Sequence, residues 1–126
     1  MRRDISQELD LLERGQDLHV RTINNIVVYF IRSYKRETSD HSECFDKETN
    51  KQLDIDDITD DYGLILTENS DGYINVMIPC GRECYIHKHY SRSGTRTAYI
   101  TIRYNKIICR LEFEDPLEYF FEIIDD

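Results

Sequence analysis

Cys80-Gly81-Arg82-Glu83-Cys84, with His87 and His89 close behind, is the stretch of this sequence whose side chains could do chemistry. Two thiols in a Cys-x3-Cys spacing and two imidazoles are donors that tetrahedral zinc accepts, so Cys80, Cys84, His87 and His89 are the zinc candidates. No second Cys-x-x-Cys half accompanies them, which makes buried free thiols and surface histidines the plainer expectation and leaves the protein with no expected cofactor. The same histidines, beside Tyr90 and Arg92, could serve metal-independent RNA cleavage, with an imidazole as base and a guanidinium on the phosphate. The sequence holds no nucleophile elbow, Gly-rich phosphate loop or His-Glu-x-x-His helix, so a protein without catalytic activity is expected.

A second candidate is electrostatic. Asp54-Ile55-Asp56-Asp57-Ile58-Thr59-Asp60-Asp61 is not a calcium loop, because an EF-hand would need Gly where Thr59 stands and Glu where Ile65 stands. Its carboxylates, Asp54, Asp56, Asp57, Asp60 and Asp61, are instead expected to dock a basic protein partner by imitating a phosphate track. The whole chain carries a net charge of -9, but the charge is uneven. Residues 82–110 hold seven Lys and Arg against the single acid Glu83, while both flanking segments are acidic.

That basic stretch supplies the third candidate. If Ala98, Ile100 and Ile102 point into a core, period-two geometry sends Thr97, Tyr99, Thr101 and Arg103 to the opposite face, with Ile108 and Arg110 of the next strand. Tyr99, Arg103 and Arg110 could then bind nucleic acid or a nucleotide, rings stacking on bases and guanidiniums meeting phosphate. Long-range repulsion from 25 carboxylates works against polyanion binding, so this is the alternative rather than the leading expectation.

The elements that must position these residues are legible as patterns. Asp4 to Arg14 sets Ile5, Leu9 and Leu12 at helical spacing before Gly15, and Leu18 to Arg36 repeats apolar residues every three or four positions, predicting two N-terminal helices. The β-branched run Ile26-Val27-Val28 favours the competing assignment, a strand over residues 25–34. Residues 37–62 read as a long acidic loop with one helical turn near its end. Beyond Gly63 the period changes to two, and strands are predicted at Leu64–Thr67, Tyr73–Ile78, Cys84–Tyr90, Thr97–Tyr104 and Lys106–Glu112, with Asp71-Gly72 as a hairpin turn. Asp115, Pro116 and Glu118 carry the N-cap, first-turn and capping-box signals of a short C-terminal helix bearing Leu117, Phe120, Phe121 and Ile124.

The expected fold is therefore one α+β domain over residues 1–126: two N-terminal helices, a five-stranded antiparallel β-meander and a short C-terminal helix. No run approaches the length of a membrane span, and the first residues lack an apolar signal core, so a cytoplasmic protein is expected, in a host cytoplasm if the source is viral. Four cysteines without an export signal are expected to stay unpaired. Small size, an acidic uneven surface and no catalytic constellation point to a non-enzymatic inhibitor of the immunity, antitoxin-like or viral anti-defence kind, occluding a basic and nucleic-acid-binding surface of its target. A nucleotide or nucleic-acid binder and a zinc-stabilised interaction module are the alternatives. Tyr119 and Ile123, beside the apolar stripe of the last helix, suit a homodimer.

Overall fold

The computed structural model describes residues 4–13, 15–32, 43–53, 57–68, 70–90, 98–113 and 115–124; for 29–32, 43, 89, 90 and 98 it describes the backbone alone. Among the described residues are one α-helix, α1 (Ile5–Leu11), and nine strands: β1 (Leu18–Thr22), β2 (Ile26–Arg32), β3 (Glu43–Asp46), β4 (Ile65–Glu68), β5 (Tyr73–Ile78), β6 (Glu83–Tyr90), β7 (Ala98–Tyr104), β8 (Ile107–Leu111) and β9 (Phe121–Ile123). The strands form two antiparallel sheets, ordered β3-β8-β7-β6-β1-β9 and β2-β5-β4.

This corrects the expected α+β layout of two helices, one meander and a final helix. The first helix stands, capped by the Asp4 carboxylate, which accepts the Gln7 N–H at 3.3 Å. The second is absent, and β1 and β2 occupy its place. Leu18, Val20 and Thr22 are buried while Arg21 is exposed and His19 half-buried, a two-residue alternation that outweighs the helical repeat. In β2 the branched residues Ile26 and Val28 fill the core, where stiff side chains suit a pleated surface. A bulge between Val27 and Tyr29 adjusts the register against β5.

The five strands expected after Gly63 do form, as β4 to β8, but they do not make one meander. β4 and β5 belong to the small sheet and β6, β7 and β8 to the large one. The break is at Pro79-Cys80-Gly81-Arg82, where Pro79 cannot donate to a ladder and Gly81 takes a φ of 84°. The chain β1–β2 turns at the same place, so β1/β6 and β2/β5 are the two halves of one long ribbon that crosses from sheet to sheet.

Thr22 fastens that corner. It is buried, its Oγ1 donates to the Pro79 carbonyl at 2.8 Å and accepts the Arg82 N–H at 2.9 Å, and its own N–H and carbonyl pair with Arg82 and Gly81. Sheets that switch strands at such bends pack as a corner with a shared interior. Val28, Val76 and Ile78 of the small sheet and Val20, Ile86, Ile102 and Phe121 of the large one accordingly belong to one continuous core.

The C-terminal helix shrinks to a single 3-10 turn, Leu117–Tyr119, after which β9 adds to the edge of β1. Glu118, expected to cap its own helix, instead accepts the Ile5 N–H of α1 at 2.9 Å. Burial of Phe121 against the sheet competes with continued helix and wins. The long acidic segment is not all loop either: β3 pairs with β8, while the helical turn expected near its end is the 3-10 turn Asp60–Tyr62. Among the described residues no helix is long and apolar enough to cross a membrane.

Candidate functional site

In the large sheet alternate residues face outward, and the register brings them into rows. Phe45, Ile108, Arg103, Tyr85 and His19 are successive neighbours across β3, β8, β7, β6 and β1. Near the centre of this row Tyr85 is 46% exposed, and the His19 ring stacks on it with centroids 4.7 Å apart and planes 13° from parallel. An exposed ring in mid-sheet held by a parallel neighbour is a preformed stacking surface.

The next row runs Arg110, Thr101, His87, and Asp17, just before β1, continues it. The Asp17 carboxylate bonds the His87 ring at Nδ1 over 2.9 Å and lies 3.5 Å from the Arg103 Nε. One carboxylate thus holds an imidazole and a guanidinium side by side. These three groups line a cleft of about 430 Å³ between the large sheet and the segment that follows α1, with Leu9, Leu12 and Lys88 on its walls. Lys88 also meets Asp10 at 3.4 Å. Farther along the face Arg21 lies between Glu83 at 3.7 Å and Glu122 at 3.5 Å.

A separate group of acids gathers at the far end of β8. Asp46 accepts the Tyr62 hydroxyl at 2.6 Å and two N–H groups of its own turn, from Glu48 and Thr49. The Tyr62 bond first, then the Thr49 amide, brings the Asp46 carboxyl down to about 2, and the same bond to Asp46 pushes the Tyr62 hydroxyl up to about 12. Asp61 also falls to about 2, chiefly because the Lys106 ammonium donates to it and then because Thr59 does. The Lys106 ammonium is raised in turn by that carboxylate. Asp46, Asp57 and Asp61 act together on Tyr62, and Asp46, Glu48 and Asp61 on Lys106.

Of the acids expected to dock a partner, Asp57, Asp60 and Asp61 are exposed, and Asp61 is engaged by the protein's own Lys106. Asp54 and Asp56 lie outside the described residues. Of the sheet-face candidates, Arg103 and Arg110 are exposed and diagonal to one another across β7 and β8, with Tyr99 half-buried two residues from Thr101.

Of the four zinc candidates, the three whose side chains are described, Cys80, Cys84 and His87, are not brought together. Cys84 is buried on the inner face of β6, where burial pushes its thiol up to about 12, whereas His87 is on the outer face beside Asp17. Cys80 is exposed in the corner turn, with its Sγ 3.8 Å from the Thr22 carbonyl. The His89 side chain lies outside the described residues. Among those described, no group of three His, Cys, Asp or Glu is placed to hold a metal ion.

Sequence reasoning missed Asp17 in the cleft, His19 and Tyr85 in the row beside it, and Asp46 at the acidic end. The parity that sends His87 outward sends Tyr85 with it. Asp17 and His19 could not be placed while β1 was read as helix. The outer face of the small sheet holds an apolar row, Val27, Met77 and Ile65, that was equally hidden. No family model, curated protein or solved structure matches the chain.

Proposed function

We propose that the cleft is a binding site for a nucleotide or the end of a single nucleic-acid strand. The observation that carries this reading is the Asp17 carboxylate holding His87 and Arg103 together beside the exposed Tyr85 ring. Arg103 keeps its terminal guanidinium nitrogens for a phosphate when its Nε faces Asp17, and Lys88 adds a second cation on the cleft wall. Tyr85, directly opposite Arg103 in the ladder, offers a face for a base. The reading assigns binding and no bond cleavage.

The net charge of -9 selects for a short ligand. At ordinary ionic strength charges more than about 10 Å away are largely screened, so distant carboxylates oppose a long polyanion more than one phosphate in contact with Arg103. The test is titration of a labelled mononucleotide and a short single strand at low salt. Binding weakened at least tenfold by Arg103→Ala, and also by Tyr85→Ala, with unchanged circular dichroism, is expected. No binding by the parent protein, or binding indifferent to both substitutions, overturns the reading.

The inhibitor of a basic protein remains the second reading, supported by the gathering of Asp46 and Glu48 with Asp57 and Asp61 around Tyr62 and Lys106. It ranks second because Asp61 is already paired within the molecule. Reversing Asp57 and Asp60 to lysine leaves the Asp46–Tyr62 and Asp61–Lys106 contacts in place. Loss of affinity for a cationic protein such as a histone in that variant, with none lost in Arg103→Ala, would favour this reading over the first.

A further inference from the structure

We infer that Cys44 and Cys109 are a paired oxidation site, at which a disulfide-class oxidant converts two buried thiols into a cross-strand bond tying β3 to β8. The two residues stand directly opposite in the β3/β8 ladder, both buried and both free, with their sulfurs 2.9 Å apart. The Cys44 carbonyl accepts the Leu53 N–H, and the Asp46 N–H donates to Lys51, so these peptide groups turn away from β8. Cys44 and Cys109 are therefore a non-hydrogen-bonded pair, the kind whose Cα atoms stand about 4.5 Å apart. That separation lies within the roughly 4.4–6.8 Å that a disulfide spans without backbone movement.

Pairings of Cys44 or Cys109 with the other two cysteines do not meet this condition. Cys84 is on β6, and β7 stands between it and β8, so two strand spacings, about 9.5 Å, separate its backbone from that of Cys109. Cys80 is exposed at the corner, remote in the ladder from β3.

The chemistry is thiol–disulfide exchange with a small disulfide such as oxidised glutathione. One cysteine gives up its proton and attacks a sulfur of the oxidant, releasing one reduced glutathione. The second cysteine, deprotonated in turn, displaces the other glutathione and closes the bond, so two protons and two electrons pass from the protein to the oxidant. Burial and the Cys44 contact keep the Cys109 thiol well above its ordinary range. The first attack belongs to Cys44, whose four-residue strand is at the edge of the sheet, whereas β8 is enclosed between β3 and β7. The closed bond spans 65 positions of sequence, a loop long enough to restrict the unfolded chain appreciably.

The test uses the Cys80→Ser protein, native and full length, incubated with oxidised glutathione, then unfolded, alkylated and mapped by mass spectrometry. The expected result is a linked peptide pair containing Cys44 and Cys109, a single alkylated cysteine at Cys84, and a denaturation midpoint moved upward and restored by dithiothreitol. Alkylation of all three remaining cysteines, or a link from Cys84 to either partner, overturns the inference. So does any link to Cys109 that persists in a folded Cys44→Ala protein.

Discussion

Glu118 reaches across the whole chain to Ile5: its Oε1 accepts the first N–H of α1 at 2.9 Å, from 113 positions away. With Asp4 at the same end, two carboxylates stand where the helix leaves its amides unpaired and its dipole positive. Glu118→Ala should cost about 1 kcal/mol, and amide exchange of residues 5–9 should quicken selectively. Glu118→Gln keeps an acceptor and should lose much less. Equal losses in the two variants would mean that the contact does not support α1.

Thr22 gives the second prediction. Its hydroxyl serves both Pro79 and Arg82 at the corner of the ribbon. Thr22→Val has nearly the same shape but leaves the part-buried Arg82 N–H and Pro79 carbonyl without that partner, which should cost about 1 kcal/mol in urea unfolding. Thr22→Ser, which restores the hydroxyl, should recover most of it.

Acid and alkali should act on the Asp46–Tyr62 pair from opposite sides. Asp46 is held down from 3.8 to about 2, so its contribution is fully present above 3.8 and disappears as pH falls through about 2. Tyr62 is raised from 10.0 to about 12, so its contribution is present below 10 and is lost as pH rises through about 12. Tyr62→Phe should move the acid unfolding midpoint upward and remove one late-titrating phenol from the ultraviolet titration. An unchanged acid limb would show that the bond adds nothing.

Alkylation should sort the thiols. At pH 8 Cys80 is exposed and should react within minutes, whereas Cys84, with its thiol pushed to about 12 by burial, should react only through unfolding. Under reducing conditions one label should enter the native protein within those minutes and four the denatured one. Rapid labelling of Cys84 would contradict its position on the inner face of β6.

Much of the β architecture was visible in the residues alone. Tyr73–Ile78 was bounded as it occurs, and β6, β7 and β8 were placed within a residue or so, because Pro79, Gly81 and Asn105 mark breaks that depend on local backbone geometry; Asn105 adopts a φ of 50°. What stayed hidden depends on partners distant in sequence. Leu18 to Arg32 fits a helical and an alternating pattern alike, and the choice is made by pairing with β6 and β5, more than 40 residues later. The signals at Asp115, Pro116 and Glu118 predict a helix, but only the 3-10 turn Leu117–Tyr119 forms, because the Phe121 ring has a larger apolar surface to bury and draws the chain into β9. For the site, His87 and Arg103 were legible as a strand parity. Asp17, which joins them, was not, because its place is fixed only by the register of β1.

The position of β1 between β6 and β9 has a consequence for synthesis. A chain emerging from the ribosome presents β1 long before either neighbour exists, and its last strand pairs three residues, Val20, Arg21 and Thr22, that were made about a hundred residues earlier. Long-range closures of this kind are slow, and until they occur β1 is a bare template for foreign strands. Until β6 and β9 have been made, nascent β1 therefore needs cover, by a holdase or by its own α1.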